Sequence, residues 1–191
     1  MARPAEPGRT ALLDAGARVL AAADSPGWTG LSANAVVAEA AMSKGAFFHH
    51  FPTRKEFVLE LHARFHAGVA FVISEAISSM PPGPDRLRSG IAAYLDYCLS
   101  RADAKAFLFD ARADGDLREQ VAFTNRQFAA QMAPDLAVVG WSSPEETAHL
   151  AVATVAEVAL IEKDLERTSL RHRSSLWKLL RLDESWRSGL P

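Results

Sequence analysis

The sequence predicts an all-α protein of about nine helices, and two observations carry that prediction. Wherever apolar residues recur with a period, the period is three to four residues; no segment alternates as a strand would. The periodic runs are also bounded by helix punctuation, with Ser, Thr or Asp at their starts and Pro or Gly after several of them.

Taken in order, the first run spans Arg9 to Ala23 on Leu12, Leu13, Gly16, Ala17, Val19 and Leu20, and stops at Asp24-Ser25-Pro26-Gly27. Ser32 is a good N-cap for a short helix whose apolar face is Ala33, Val36, Val37 and Ala40. That run breaks at Ala41-Met42-Ser43, and Ser43 caps a second short helix through His50. Thr53 caps a long helix through Phe57, Val58, Leu61, Phe65, Val69, Val72 and Ile73, stopped by Met80-Pro81-Pro82-Gly83-Pro84. Asp85 caps the next, which buries Leu87, Ile91, Tyr94, Leu95, Cys98 and Leu99 as far as Arg101. A short segment from Ala104 to Ala111 precedes the acidic, glycine-bearing loop Asp110 to Asp116. A helix then starts near Leu117 and carries Val121, Phe128 and Met132, with Pro134 expected to kink or end it. Ser143-Pro144-Glu145-Glu146 opens a helix rich in small residues that runs to about Arg167, and Ser169 opens the last, through Leu182.

Composition bounds the class. A chain of 191 residues with 49% hydrophobic content can bury the core of one or two compact units. The single Cys98 excludes an internal disulfide framework and fits a reducing compartment. No uninterrupted apolar stretch reaches membrane-spanning length and the first ten residues lack the hydrophobic core of a signal peptide, so the expected address is cytoplasmic. The first sixty residues balance six cations against six carboxylates, which gives no bulk attraction for nucleic acid. Between Glu39 and Glu56, however, stand Lys44, Arg54, Lys55, His49 and His50 with no acid among them. A patch of that kind is enough to steer binding and release counterions.

The stretch 32–51, SANAVVAEAAMSKGAFFHHF, reads as helix, tight turn, helix, with Met42 held in the corner. In such units the second helix enters the major groove of DNA and its first residues touch base edges. Gly45 and Ala46 keep that end slim, Lys44 supplies a point charge, and Ser43 with the free N–H groups of the helix start can hold a phosphate.

These residues resemble the DNA-binding domain of the TetR/AcrR family of bacterial transcriptional regulators. The matching string runs from Gly27-Trp28 through Leu31-Ser32, Glu39-Ala40, Met42-Ser43-Lys44-Gly45 and Phe47-Phe48-His49-His50-Phe51 to Pro52-Thr53-Arg54. The resemblance implies a DNA-binding domain at 9–56 and a helical regulatory and dimerisation domain at 57–191. It implies that Ser43, Lys44, Gly45 and Ala46 read the groove, and that Ser32, Asn34, His49, His50 and Arg54 hold the backbone, with Phe48 packing at the edge. Three positions depart from the family pattern. Phe48 stands where a tyrosine hydroxyl usually meets a phosphate, Ala41 stands where Gly usually takes a left-handed conformation, and Val37 is larger than the usual Ala.

The resemblance further implies a homodimer on a palindromic operator, paired through the last two helices. The apolar strips there are Ala151, Thr154, Val155, Val158 and Ile161, and Leu170, Leu176, Trp177 and Leu180; burial within one protomer is the alternative. It implies, too, a repressor released by an unknown small-molecule effector, with Phe65, Tyr94, Cys98, Phe107, Phe128 and Met132 as candidate pocket walls and Glu157 as a polar anchor. Plain core is the competing assignment for each aromatic. A different class, an all-helical interaction protein that has lost operator recognition, is kept in view by Phe48 and by the neutral first sixty residues.

The remaining constellations point away from catalysis. His62 and His66 have the i, i+4 spacing of a metal pair, but no Glu follows His62 and no third ligand is placed, so no metal is expected. Asp110, Asp114 and Asp116 cluster on a loop, where acids are common. The cationic run Arg167, Arg171, Arg173, Lys178 and Arg181 reads as a solvated helix face. There is no glycine-rich phosphate loop and no nucleophile elbow, and neither an enzyme nor a cofactor is expected.

Overall fold

A computed structural model describes residues 7–22, 25 and 27–183. All regular structure among them is helical: α1 (Pro7–Ala21), α2 (Gly27–Gly30), α3 (Ala33–Glu39), α4 (Lys44–His50), α5 (Arg54–Ile77), α6 (Pro84–Ser100), α7 (Ala104–Leu108), a 3₁₀ turn (Asp110–Arg112), α8 (Arg118–Val139), α9 (Pro144–Asp164) and α10 (Leu170–Leu179). The expected helices are all present, and the single turn of α2 is additional. The stop expected at Asp24 and Pro26 lies outside the described residues.

Two local expectations need correcting. Helix α6 begins one residue before Asp85, because Pro84 occupies the first helical position, where its fixed φ suits a start and its missing N–H costs nothing. Helix α8 runs through Pro134, so of the kink or end expected there the end does not occur. The carbonyl that loses its donor is that of Ala130, and both residues are exposed, so water can replace the bond.

The chain divides into two compact units. One takes the chain through His66 together with Ala102–Val121; the other takes Ala67–Arg101 and the chain from Ala122 onward. The sequence placed a boundary at 56/57. Two facts move it: the first three turns of α5 are core to the N-terminal unit, and the segment between α6 and α8 joins that unit.

In the N-terminal unit α1 packs on α3 and α4 and buries Leu12, Leu13, Ala15 and Leu20. Gly16 permits close approach to α5, since a β-carbon there would stand 2.6 Å from Phe57 Cζ. Phe47, Phe51 and Phe57 form a triangle of rings, with centroids 5.0–5.8 Å apart. The segment 102–121 is held by three devices. Trp28 Nε1–H donates to the Ala106 carbonyl (2.8 Å), Phe107 stacks on Phe65, and Asp114 and Asp116 bind Arg54.

In the second unit α9 packs on α6 and α10. Glu162, fully buried on α9, accepts two bonds from Arg173 (2.7 Å each) and one from the Ser169 N–H (2.9 Å), and Arg173 also reaches Asp96. Burial pushes the Glu162 carboxyl up, but those bonds and the guanidinium charge outweigh it and hold it below the usual range. Arg173, read as part of a solvated cationic face, is therefore a core ion-pair member. Buried Asp135 similarly accepts from Arg86 (2.8 and 3.0 Å) and from the Gly83 N–H (2.7 Å).

Of the strips assigned to a dimer interface, Ala151, Val155, Val158, Leu176, Trp177 and Leu180 are buried within the protomer. The large apolar side chains that α9 and α10 leave exposed are Leu150, Leu170 and Leu179.

Among the described residues one helix, α5, is long and apolar enough by length and composition to cross a membrane, although charged residues interrupt it. Its Phe57, Val58, Leu61, Phe65 and Val69 are buried in the protein, and Glu60 and Arg64 pair with Arg9 and Asp14 on α1. One third of that apolar stretch is buried inside the protein.

Candidate nucleic-acid interface

The geometry of residues 32–51 follows from local hydrogen bonding. Ser32 Oγ accepts from the Ala35 N–H at 3.2 Å, and Ser43 Oγ accepts from the Ala46 N–H at 3.1 Å, so both serines are N-caps. Between the helices, Met42 N–H reaches the Val37 carbonyl (2.9 Å) and Ala41 N–H the Ala38 carbonyl (3.3 Å). This paired pattern is a Schellman motif, which puts the residue after the C-cap in the left-handed region. That residue is Ala41, at φ 52°. The strain expected there is present, because an alanine occupies a conformation that suits glycine.

The motif's inner face is buried and its outer face is exposed. Val36, Val37 and Phe47 point into the N-terminal unit. Ser32, Asn34, Ser43, Lys44, Gly45, Phe48 and His49 are exposed, and Ala46 and His50 are intermediate. Phe48 is 50% exposed, although its ring meets that of Phe47 edge-on at 5.3 Å. The ring of His50 lies against α1, where a β-carbon on Gly8 would collide with its Nε2 at 2.6 Å.

Gly45 is informative by contrast with Gly8 and Gly16. A β-carbon at Gly45 would meet only Ser43 Oγ, at 3.7 Å, so nothing inside the protein demands glycine.

Arg54 behaves differently from the rest of the expected set. Its Nη2 donates to Asp114 Oδ2 (2.7 Å) and to the Trp28 carbonyl, its Nη1 to Asp116 Oδ2 (2.9 Å), and its Nε to the Leu31 carbonyl (3.1 Å). The guanidinium is committed within the protein. Of the cations between Glu39 and Glu56, the exposed ones are Lys44 and Lys55. Sequence reasoning took Asp114 and Asp116 for ordinary loop acids. The missed signal was a buried carboxylate, which spacing does not reveal.

His62 and His66 lie together on α5, ring centroids 4.3 Å apart, with His62 against Trp28 and Phe107 at 6.4 Å. His62 is fully buried, and neither of its ring nitrogens has a hydrogen-bond partner. Burial lowers its pKa to about 4, and burial together with the neighbouring His62 lowers that of His66 to about 3, so both are neutral at pH 7. Among the described residues no group of three or more His, Cys, Asp or Glu could hold a metal ion.

The candidate pocket residues are drawn from both units. Phe65 and Phe107 belong to the N-terminal unit, where they stack on each other as core. Tyr94, Cys98, Phe128 and Met132 belong to the second unit; Cys98 is fully buried and Tyr94 meets Phe128 edge-on at 6.5 Å. Glu157 is exposed on α9, which does not suit a buried polar anchor.

Residues 12–61 match the family described as bacterial regulatory proteins, tetR family. No curated protein matches the chain. Among solved structures the chain is similar to a TetR-like transcriptional regulator from Rhodococcus sp. RHA1, at 16% identity, 99% of this chain and 100% of that one, and a TM-score of 0.79. It is also similar to a second transcriptional regulator from that organism (20% identity, 90% and 92% covered, TM-score 0.71). A transcriptional regulator from Aquifex aeolicus VF5 aligns at 20% identity, 92% and 98% covered, with a TM-score of 0.64. At these identities the structural likeness establishes the fold, while the match over 12–61 bears on the DNA-binding segment.

Proposed function

We propose, from the match of residues 12–61 to the tetR family of bacterial regulatory proteins, that the chain is a member of that family and a cytoplasmic repressor that occupies a palindromic operator as a homodimer. Helix α4 enters the major groove, with Ser43, Lys44, Gly45 and Ala46 nearest the bases. Ser32, Asn34, His49 and His50 meet the phosphates, and Phe48 packs against the edge of the groove.

The observation that carries this reading is Gly45. It is an exposed glycine in the first turn of α4 with no neighbour inside the protein that requires it, and the absence of a side chain there suits close approach of the helix start by something outside. Beside it Lys44 is exposed and the nearby acids are few.

Dimerisation supplies what one short helix lacks, since two half-sites about 34–36 Å apart are read together. Exposed Leu150, Leu170 and Leu179 on α9 and α10 support pairing of those helices with a second copy. A small-molecule effector acts by favouring a conformation whose recognition helices no longer match successive grooves.

The test is selection from a random DNA duplex pool at moderate salt, with Lys44→Ala alongside. Enrichment of a palindrome by the wild type, weakened in the variant, supports the proposal. Failure to enrich any palindrome, with both proteins behaving alike, sinks it and leaves the interaction-protein reading. Promoter fusions then distinguish repression from activation.

A further inference from the structure

We infer that Arg54 is a positioning residue for the helix-turn-helix, held by the Asp114-Gly115-Asp116 turn, and that it does not contact phosphate. Its consequence for DNA rests on the function proposed above.

One side chain ties together the two ends of the motif. Leu31, whose carbonyl accepts from Arg54 Nε at 3.1 Å, directly precedes Ser32, the cap of α3. Arg54 itself opens α5, four residues beyond His50, the last residue of α4. Its Nη2 also reaches the Trp28 carbonyl in α2, which accepts from the Leu31 N–H as well (3.2 Å). The motif is therefore pinned just before its first helix and just after its second by the same guanidinium.

The guanidinium is in turn aimed by two carboxylates. Asp114 is 3% exposed and accepts Nη2 through Oδ2, while its Oδ1 accepts the Asp116 N–H at 2.9 Å. Asp116 accepts Nη1 at 2.9 Å. Four bonds spread over Nε, Nη1 and Nη2 leave little donor capacity for anything outside. An exposed ion pair would count for little, but a buried carboxylate must keep its partner or lose its compensation. The acids that fill this role come from the segment that follows α6 and precedes α8, two helices that belong chiefly to the other unit.

The experiment compares full-length wild type, Arg54→Gln and Asp114→Asn in two readouts. The first is amide hydrogen exchange across 33–50 in the free protein. The second is affinity for the selected operator and for an unrelated duplex, each at several salt concentrations. Positioning predicts faster exchange in both variants and operator affinity reduced by about 3- to 30-fold. It also predicts an unchanged salt slope and unreduced affinity for the unrelated duplex. Asp114→Asn is decisive, because removing an acid should on charge alone tighten DNA binding.

The inference is overturned if exchange across 33–50 is unchanged in Asp114→Asn. It is equally overturned if Arg54→Gln lowers the salt slope by about one while Asp114→Asn leaves operator affinity intact, the signature of a phosphate contact. If the wild type selects no operator, the proposed function fails, and the exchange comparison alone upholds or overturns the positioning role. Should Asp114→Asn fail to fold, Asp116→Asn at the partly exposed arm of the clasp (40%) carries the same comparison.

Discussion

Phe65 lies flat against Phe107, with ring centroids 4.2 Å apart and planes 1° from parallel. The pair joins α5 to a segment that sequence order places after α6, and it explains why residues 102–121 belong to the N-terminal unit. Trp28 meets the other side of the contact, edge-on to Phe107 at 5.1 Å. Phe107→Ala should therefore cost about 3–5 kcal/mol, the range for a buried aromatic truncated without collapse of its site. Chemical unfolding monitored by circular dichroism measures it; a loss under 1 kcal/mol would mean that the segment is not anchored there.

Ala41→Gly should stabilise the protein. Ala41 holds φ 52° to complete the Schellman turn between α3 and α4, and relieving a β-carbon in that region is worth about 1 kcal/mol. Glycine gives part of this back through its freer unfolded chain. The net gain should appear as a rise in Tm, and an unchanged or lower Tm would show that the turn is not strained.

Acid should destabilise the N-terminal unit through His62. The folded state holds His62 near pKa 4 by burial, whereas the unfolded chain titrates near 6.5. Stability is thus full above pH 6.5 and declines as pH falls toward 4, because only the unfolded state gains the proton in that window. A 2.5-unit depression corresponds to a loss on the order of 3 kcal/mol, and His66 extends the decline toward pH 3. Denaturant midpoints measured from pH 7.5 to 4 should fall more steeply in wild type than in His62→Leu. Parallel curves would contradict the assignment.

Phe48→Tyr tests the departure on the recognition helix. The side chain is half exposed, so the added hydroxyl meets no desolvation cost in the free protein. If α4 docks as proposed, the new donor should tighten operator binding by about 3- to 10-fold, the worth of one ordinary hydrogen bond. The salt slope should not change, since no charge is added. Weaker binding would place position 48 away from phosphate.

The sequence by itself determined the helices, the two serine caps, the turn at 41–43 and the inward face of the motif. Each depends on residues within a few positions of one another, where φ preferences, capping bonds and the 3.6-residue period act directly. The family resemblance marked Ala41 as strained, since glycine usually stands there, and φ 52° at that position bears it out. The outward face, from Ser43 to Phe48, was legible for the same reason.

What only the tertiary structure decided are the partnerships between residues 11 to 78 positions apart in the chain. Arg54 looked like one more cation in a basic patch until Asp114 and Asp116 were found beside it. Phe107, for which pocket wall and plain core were both open, stacks on Phe65, and Arg173, which reads as a solvated charge, pairs with the buried Glu162. A charge or a ring carries no local mark of its partner. Which carboxylate loses its water is set by the packing of distant segments, and that packing brought the Arg54 guanidinium onto Asp114 and Asp116.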